Sequence, residues 1–116
     1  MKHLIIIATV LVSGFLTAQT NYEKGMQKAF ELWGKNKPTE ASNMFERISG
    51  AEPDNWLPAY YAAQINIINS FGLRDEEKLS AQLKKAQNLI NDATAISKNN
   101  PEIMVLQALL HTAWVA

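Results

Sequence analysis

The sequence predicts an all-α protein built from antiparallel helical hairpins. Three observations predict it. From Tyr22 onward apolar residues recur at spacings of three and four, the period of one helix face, and no segment offers a convincing strand. Pro38, Pro58 and Pro101 each stand at the start of such an apolar run, where a missing N–H costs a helix nothing. The polar breaks between runs are short, which makes consecutive helices antiparallel neighbours.

The first segment reads as an export signal. Met1-Lys2-His3 is a short basic start, Leu4 to Leu16 is apolar apart from Thr9, Ser13 and Gly14, and Thr17-Ala18-Gln19 is small and polar. That is the layout of a secretory signal peptide, and its apolar core is shorter than the roughly 20 residues a membrane-spanning helix needs. Cleavage after Ala18 or Gln19 leaves residues 1–19 as signal and 20–116 as the folded domain. An uncleaved anchor or a buried helix is the alternative, and the polar Gln19-Thr20-Asn21 break argues against the buried helix. Leu16-Thr17-Ala18-Gln19 resembles the lipobox of bacterial lipoproteins with Gln19 where the lipid-bearing cysteine would stand, so the resemblance implies a soluble periplasmic or secreted product without a lipid anchor.

Five helices are expected in the remainder. Met26, Ala29, Phe30, Leu32 and Trp33 form the apolar side of the first, ended by the polar stretch Gly34 to Lys37. Pro38 opens the second, with Ala41, Met44, Phe45 and Ile48 at the same period and Ser49-Gly50 as its expected end. After the Glu52-Pro53-Asp54-Asn55 turn, a third runs from Trp56 to Phe71, closed by Gly72. Asp75 is the expected cap of a long fourth helix with the stripe Leu79, Leu83, Ala86, Leu89, Ile90, Ala93 and Ile96. Asn99-Asn100-Pro101-Glu102 introduces a fifth, lined by Ile103, Leu106, Leu109, Leu110, Ala113 and Trp114.

These helices repeat. Residues 22–55 form a 34-residue unit that resembles the tetratricopeptide repeat: small Ala29 at the tight helix contact, then Glu40-Ala41, Phe45, Ile48, Pro53 and Asn55 at the family's spacing. The spacing recurs 48 residues later as Leu89, Ala93, Ile96 and Pro101. Gly25 and Lys28 depart from the family, which places large apolar residues there, and the second unit carries about fourteen extra residues around Gly72 to Leu79. The resemblance implies a short right-handed solenoid of about two and a half repeats, because each hairpin hides its apolar face only against the next. A generic helical bundle is the other reading.

The fifth helix matches the first helix of a third repeat, which leaves the face of residues 103–114, with Leu106, Leu110 and Trp114, without a covering helix. Burying each large apolar side chain is worth about 1.5–3 kcal/mol. The expectation is a continuation of the natural protein past Ala116 or, alternatively, self-association through this face.

Composition excludes several functions. Eleven basic and eleven acidic residues, scattered along the chain, give no footprint for nucleic acid or an acidic membrane. With no cysteine, disulfides, thiolate catalysis and cysteine-ligated metals are impossible. Of two histidines, His3 belongs to the signal and His111 has no serine or carboxylate at helical spacing on both sides, so it reads as a packed or rim residue. No HExxH, calcium loop or glycine-rich phosphate loop is present, and Glu76 and Glu77 point apart on a helix. No catalytic, cofactor or metal residue is assigned, and the expected cofactor set is empty.

What remains is surface. In the resembled family the first helix of each hairpin lines a concave groove for peptides or partner proteins, which by matching position implies Met26, Phe30 and Trp33 with Tyr60, Gln64 and Ile67. Phe30 and Trp33 suit a core as well as a groove, whereas Tyr60 and Gln64 have polar ends that suit a wet surface. The lysine and asparagine set that clamps a terminal carboxylate elsewhere in the family is not evident. The expected function is therefore a non-enzymatic protein- or peptide-binding scaffold of the bacterial envelope. An accessory subunit or N-terminal part of an envelope enzyme, and a self-assembling structural protein, are the alternatives.

Overall fold

The computed structural model describes residues 21–116; the expected signal peptide, residues 1–19, lies outside them. Among the described residues the chain forms helices and no strand: α1 over 21–34, α2 Pro38–Ala51, α3 Leu57–Ser70, α4 Glu76–Ile96 and α5 Pro101–Val115. None of these helices is long and apolar enough to cross a membrane.

Local chemistry sets most boundaries. Pro38, Pro58 and Pro101 all occupy the first turn of their helices. Asp75 caps α4 by accepting from the backbone N–H groups of Glu77 at 2.9 Å and Lys78 at 3.2 Å. Asn100 caps α5 through the N–H of Glu102 at 2.9 Å, and Asn55 accepts from the N–H of Leu57 at 3.1 Å at the start of α3.

The helix ends differ from the sequence expectation. Gly50 lies inside α2, which runs on through Ala51, and α3 stops at Ser70, before Gly72. No described glycine has a positive φ; Asn36 (φ 60°) and Asn99 (φ 59°) take the left-handed conformation instead. Asn36 does so in a closed reversal, its N–H donating to the carbonyl of Trp33 at 3.0 Å and that of Lys37 to Leu32 at 2.9 Å. Both asparagines stand two residues before a proline, in Lys35-Asn36-Lys37-Pro38 and Lys98-Asn99-Asn100-Pro101. Asparagine tolerates this conformation because its short polar side chain bonds locally, and each proline then starts the next helix.

Cross-helix contacts fix the directions. Gly25 and Phe30 of α1 meet Ile48 and Phe45 of α2, an antiparallel register. Ser42, early in α2, meets Asn66, late in α3. Alternate helices run in parallel register, Glu46 of α2 pairing with Lys85 of α4 at 3.0 Å and Tyr60 of α3 reaching Glu102 of α5. A Cβ at Gly25 would stand 3.3 Å from Ile48 Cδ1, so the missing side chain lets α1 and α2 come close.

Alanine dominates where helices touch: Ala29, Ala41, Ala59, Ala62, Ala63, Ala86 and Ala93 are completely buried, with Phe45, Leu83 and Leu110 filling the space between. Among the described residues one bond between two side chains is buried in this core, from Asn66 Nδ2 to Ser42 Oγ at 2.9 Å. Between α4 and α5, Gln87 and Gln107 exchange two amide hydrogen bonds, each 2.8 Å. Each amide satisfies the other's donor and acceptor, so the pair fixes the rotation of one helix on the other.

The expected open face of α5 needs correction. Leu106 and Leu110 are 3% and 0% exposed, hidden with Ile103 and Ala113 against the preceding helices. α5 is apolar nearly all round, and the side left in solvent carries Met104, Val105 and Val115, with Trp114 half exposed at its margin.

Candidate functional site

α3 sits at the centre, packed against α2, α4 and α5 and touching α1 through Tyr61. Its buried side is made of small residues, Ala59, Ala62, Ala63, Asn66 and Ser70, with Ile65 and Ile67. Small residues let four helices converge on it. The large side chains are thereby displaced to the outer side, where Leu57, Tyr60, Tyr61, Gln64, Ile68 and Phe71 follow one another at helical spacing.

That outer side is the floor of a band crossing three helices. On one flank Phe30 of α1 stands edge-on to Tyr61, ring centres 4.8 Å apart, and to Phe45 at 5.1 Å. Tyr61 stacks on Phe45 at 5.5 Å and meets Tyr60 edge-on at 5.2 Å, and Trp56 closes on Tyr60 at 5.4 Å. Such pairs add about 0.5–1.5 kcal/mol beyond area burial, which holds the rings in place. On the other flank the Tyr60 hydroxyl donates to Glu102 Oε2 at 3.4 Å, and Tyr60, Pro101, Glu102 and Val105 line a cleft of about 230 Å³ between α3 and α5. Phe30, Ile68, Phe71 and Val105 are 40%, 43%, 49% and 71% exposed.

Burial, and then the Glu102 carboxylate that both repels a phenolate and binds the neutral hydroxyl, push the Tyr60 phenol above its ordinary value. Tyr22 is raised as well, by burial first; the hydrogen bond with Asn55 opposes this and the charge of Glu52 adds to it.

Of the residues expected at a groove, Phe30 and Tyr60 both meet Tyr61 in this band, and Trp33 and Gln64 are partly exposed. Ile67 does not belong to it. That side chain is 0% exposed and faces the core, and its neighbour Ile68 occupies the outer face instead. Met26, at 8%, is core too. Sequence reasoning missed Tyr61, Ile68, Phe71 and Val105; the alternation of alanine with large residues, Ala59-Tyr60-Tyr61-Ala62-Ala63, was the available signal. His111 lies exposed on α5, away from any described carboxylate partner, and among the described residues no three acidic or histidine side chains converge on a point that would hold a metal.

No family model, curated protein or solved structure matches the chain. The band itself is therefore what informs on function. It joins the rings of Phe30, Tyr61, Tyr60 and Trp56 to Val105 across the cleft edged by Glu102.

Proposed function

We propose that the chain is a non-enzymatic scaffold of tetratricopeptide type that binds a protein segment or peptide along the band formed by α1, α3 and α5, exported to the bacterial envelope by its N-terminal signal. The single observation carrying this reading is that Phe30, Ile68, Phe71 and Val105, on α1, α3 and α5, are each 40% or more exposed while alanines fill the interior. Contiguous apolar surface rimmed by polar groups marks an interaction site, and rigid aromatic anchors are what such sites use. The tetratricopeptide assignment is supported by the spacing of the repeat residues and by the alternation of antiparallel neighbours with parallel next-neighbours, the arrangement a stacked-hairpin solenoid requires.

The test is capture from an envelope fraction with the purified chain as bait, repeated with Ile68→Ser plus Phe71→Ser and with Tyr60→Ala. The reading predicts a partner retained by the native chain and lost by the variants, with unchanged helical circular dichroism. A partner retained by all three proteins, or no partner from any source fraction, contradicts it.

A second reading has its own observation. The outward side of α5, with Met104, Val105 and Val115 at 63%, 71% and 86% exposure, favours self-assembly through that helix. Sedimentation across a hundredfold concentration range separates the two, since self-assembly gives oligomers that Met104→Lys abolishes and Phe71→Ser leaves intact.

A further inference from the structure

On the side of α3 away from the band lies a second recess, of about 410 Å³, lined by Thr39 of α2, Asn66 of α3, Leu73 of the following loop, and Lys78, Ala81, Gln82 and Lys85 of α4. Its α4 wall is the part of the chain that breaks the repeat. Residues 76–85 precede the position that matches the start of α2 under the 48-residue shift, so these turns have no counterpart in the first hairpin. The four wall residues fall on one side of α4 by their spacing of three, one and three.

The floor is unusual. Asn66 is only 7% exposed, and its Nδ2 is committed to Ser42 Oγ at 2.9 Å and to the Ala62 carbonyl at 2.7 Å. Both bonds orient the amide and leave Oδ1 as the free acceptor of a residue that lines the recess, since it receives no hydrogen bond among the described residues. At the rim, Lys78 forms no ion pair among the described residues, and Lys85 uses one donor on Glu46 at 3.0 Å, leaving two of its three N–H bonds.

These groups select a chemistry. Two ammonium groups against the single Glu46 carboxylate leave the rim net positive, which disfavours a cation. A bare anion is repelled by the lone pairs of Asn66 Oδ1, so the occupant needs a donor at its inner end and negative charge at its outer end. The recess is shallow and open to solvent, and its volume, beside Leu73 and Ala81, has room for a small molecule. We propose that the recess binds a small organic acid bearing a hydroxyl or N–H group, with its carboxylate on Lys78 and Lys85 and its donor on Asn66 Oδ1. This site is independent of the band on the opposite side of α3, and neither reading requires the other.

The test is a set of amide NMR titrations of the chain with 3-hydroxybutyrate, with butyrate, which lacks the donor, and with ethyl 3-hydroxybutyrate, which lacks the charge. The site predicts saturable shifts centred on Asn66, Lys78, Ala81 and Gln82 for the hydroxy acid. One hydrogen bond is worth about fivefold in affinity, so butyrate binds at least about threefold more weakly, and the ester does not saturate. Lys78→Gln, on an exposed side chain that leaves the fold unchanged, weakens the hydroxy acid by a similar factor. Absence of shifts at the recess, equal response to butyrate and the hydroxy acid, shifts spread over surface lysines generally, or an unaffected K78Q variant each overturns the proposal.

Discussion

α3 and α4 lie side by side and are built on opposite plans. α4 follows the usual arrangement: Leu83, Leu89 and Ile90 are buried, and Lys84, Lys85, Asn88, Asn91 and Asp92 face water. α3 buries alanines, an asparagine and a serine, and leaves Ile68 and Phe71 about half in solvent. A helix of the α4 kind is complete once its stripe is covered. In α3 the interior demands small residues because several helices converge there, yet nothing about that demand requires isoleucine or phenylalanine outside. Polar residues on the outer side would give the same fold with less apolar surface in water, at about 25 cal/mol for each Å². The difference teaches that packing accounts for the inner side of α3 and does not account for the apolar outer side, which the proposed recognition would explain.

The contrast can be broken by mutation, beginning where the effect is largest. Phe45→Ala removes a completely buried ring that supports both Phe30 and Tyr61, and should lower stability by about 3–5 kcal/mol in urea denaturation; a loss under about 1 kcal/mol would mean the band is not anchored on the core. Ala62→Leu enlarges a residue with no exposed surface and should cost about 1–3 kcal/mol, whereas the same residue type introduced on the open side of α4, Lys84→Leu, should change stability by less than about 0.5 kcal/mol. Asp75→Ala removes a cap bonded to two N–H groups and should cost about 1 kcal/mol, read from the thermal midpoint.

The outer residues of α3 should behave in reverse. Ile68→Ser and Phe71→Ser should each shift stability by less than about 0.5 kcal/mol, because the side chains are half in water already, while removing partner binding. The smallest effect concerns pH. Since the Tyr60 phenol is raised in the fold, its neutral form stabilises the native state at all pH values below the ordinary phenol range near 10, and that contribution is lost as pH climbs through the raised value. Glu102→Gln removes the carboxylate that contributes to the shift, so phenolate absorbance should place Tyr60 ionisation lower in the variant than in the native chain.

The helix boundaries set by single residues were legible in the sequence. Asp75 and Asn100 act through bonds two or three residues away, and the three first-turn prolines through their own missing N–H, so their roles follow from spacing alone. The choice of side was legible for α4, whose polar and apolar residues separate cleanly. It was not legible for the end of α3, where Ile65-Asn66-Ile67-Ile68 offers three isoleucines around the helix and only the approach of α2 and α4 decides that Ile67 goes inside and Ile68 outside. α5 posed the same problem: apolar residues surround it, so the sequence marked Leu106 and Leu110 as uncovered when they are the side that packs. Asn36 and Asn99 were hidden for another reason. A left-handed residue is ordinarily sought at glycine, and here the repeated asparagine before a proline carries the reversal.

On the proposed function the outer side of α3 is a recognition surface, and the open side of α4 is a solvated one. Photo-crosslinking tests this most directly, with the reactive residue placed at position 68 or at position 84 of the full chain in producing cells. The account predicts a discrete adduct with another protein from position 68 and none from position 84; no adduct from 68, or the same adducts from both, would contradict it.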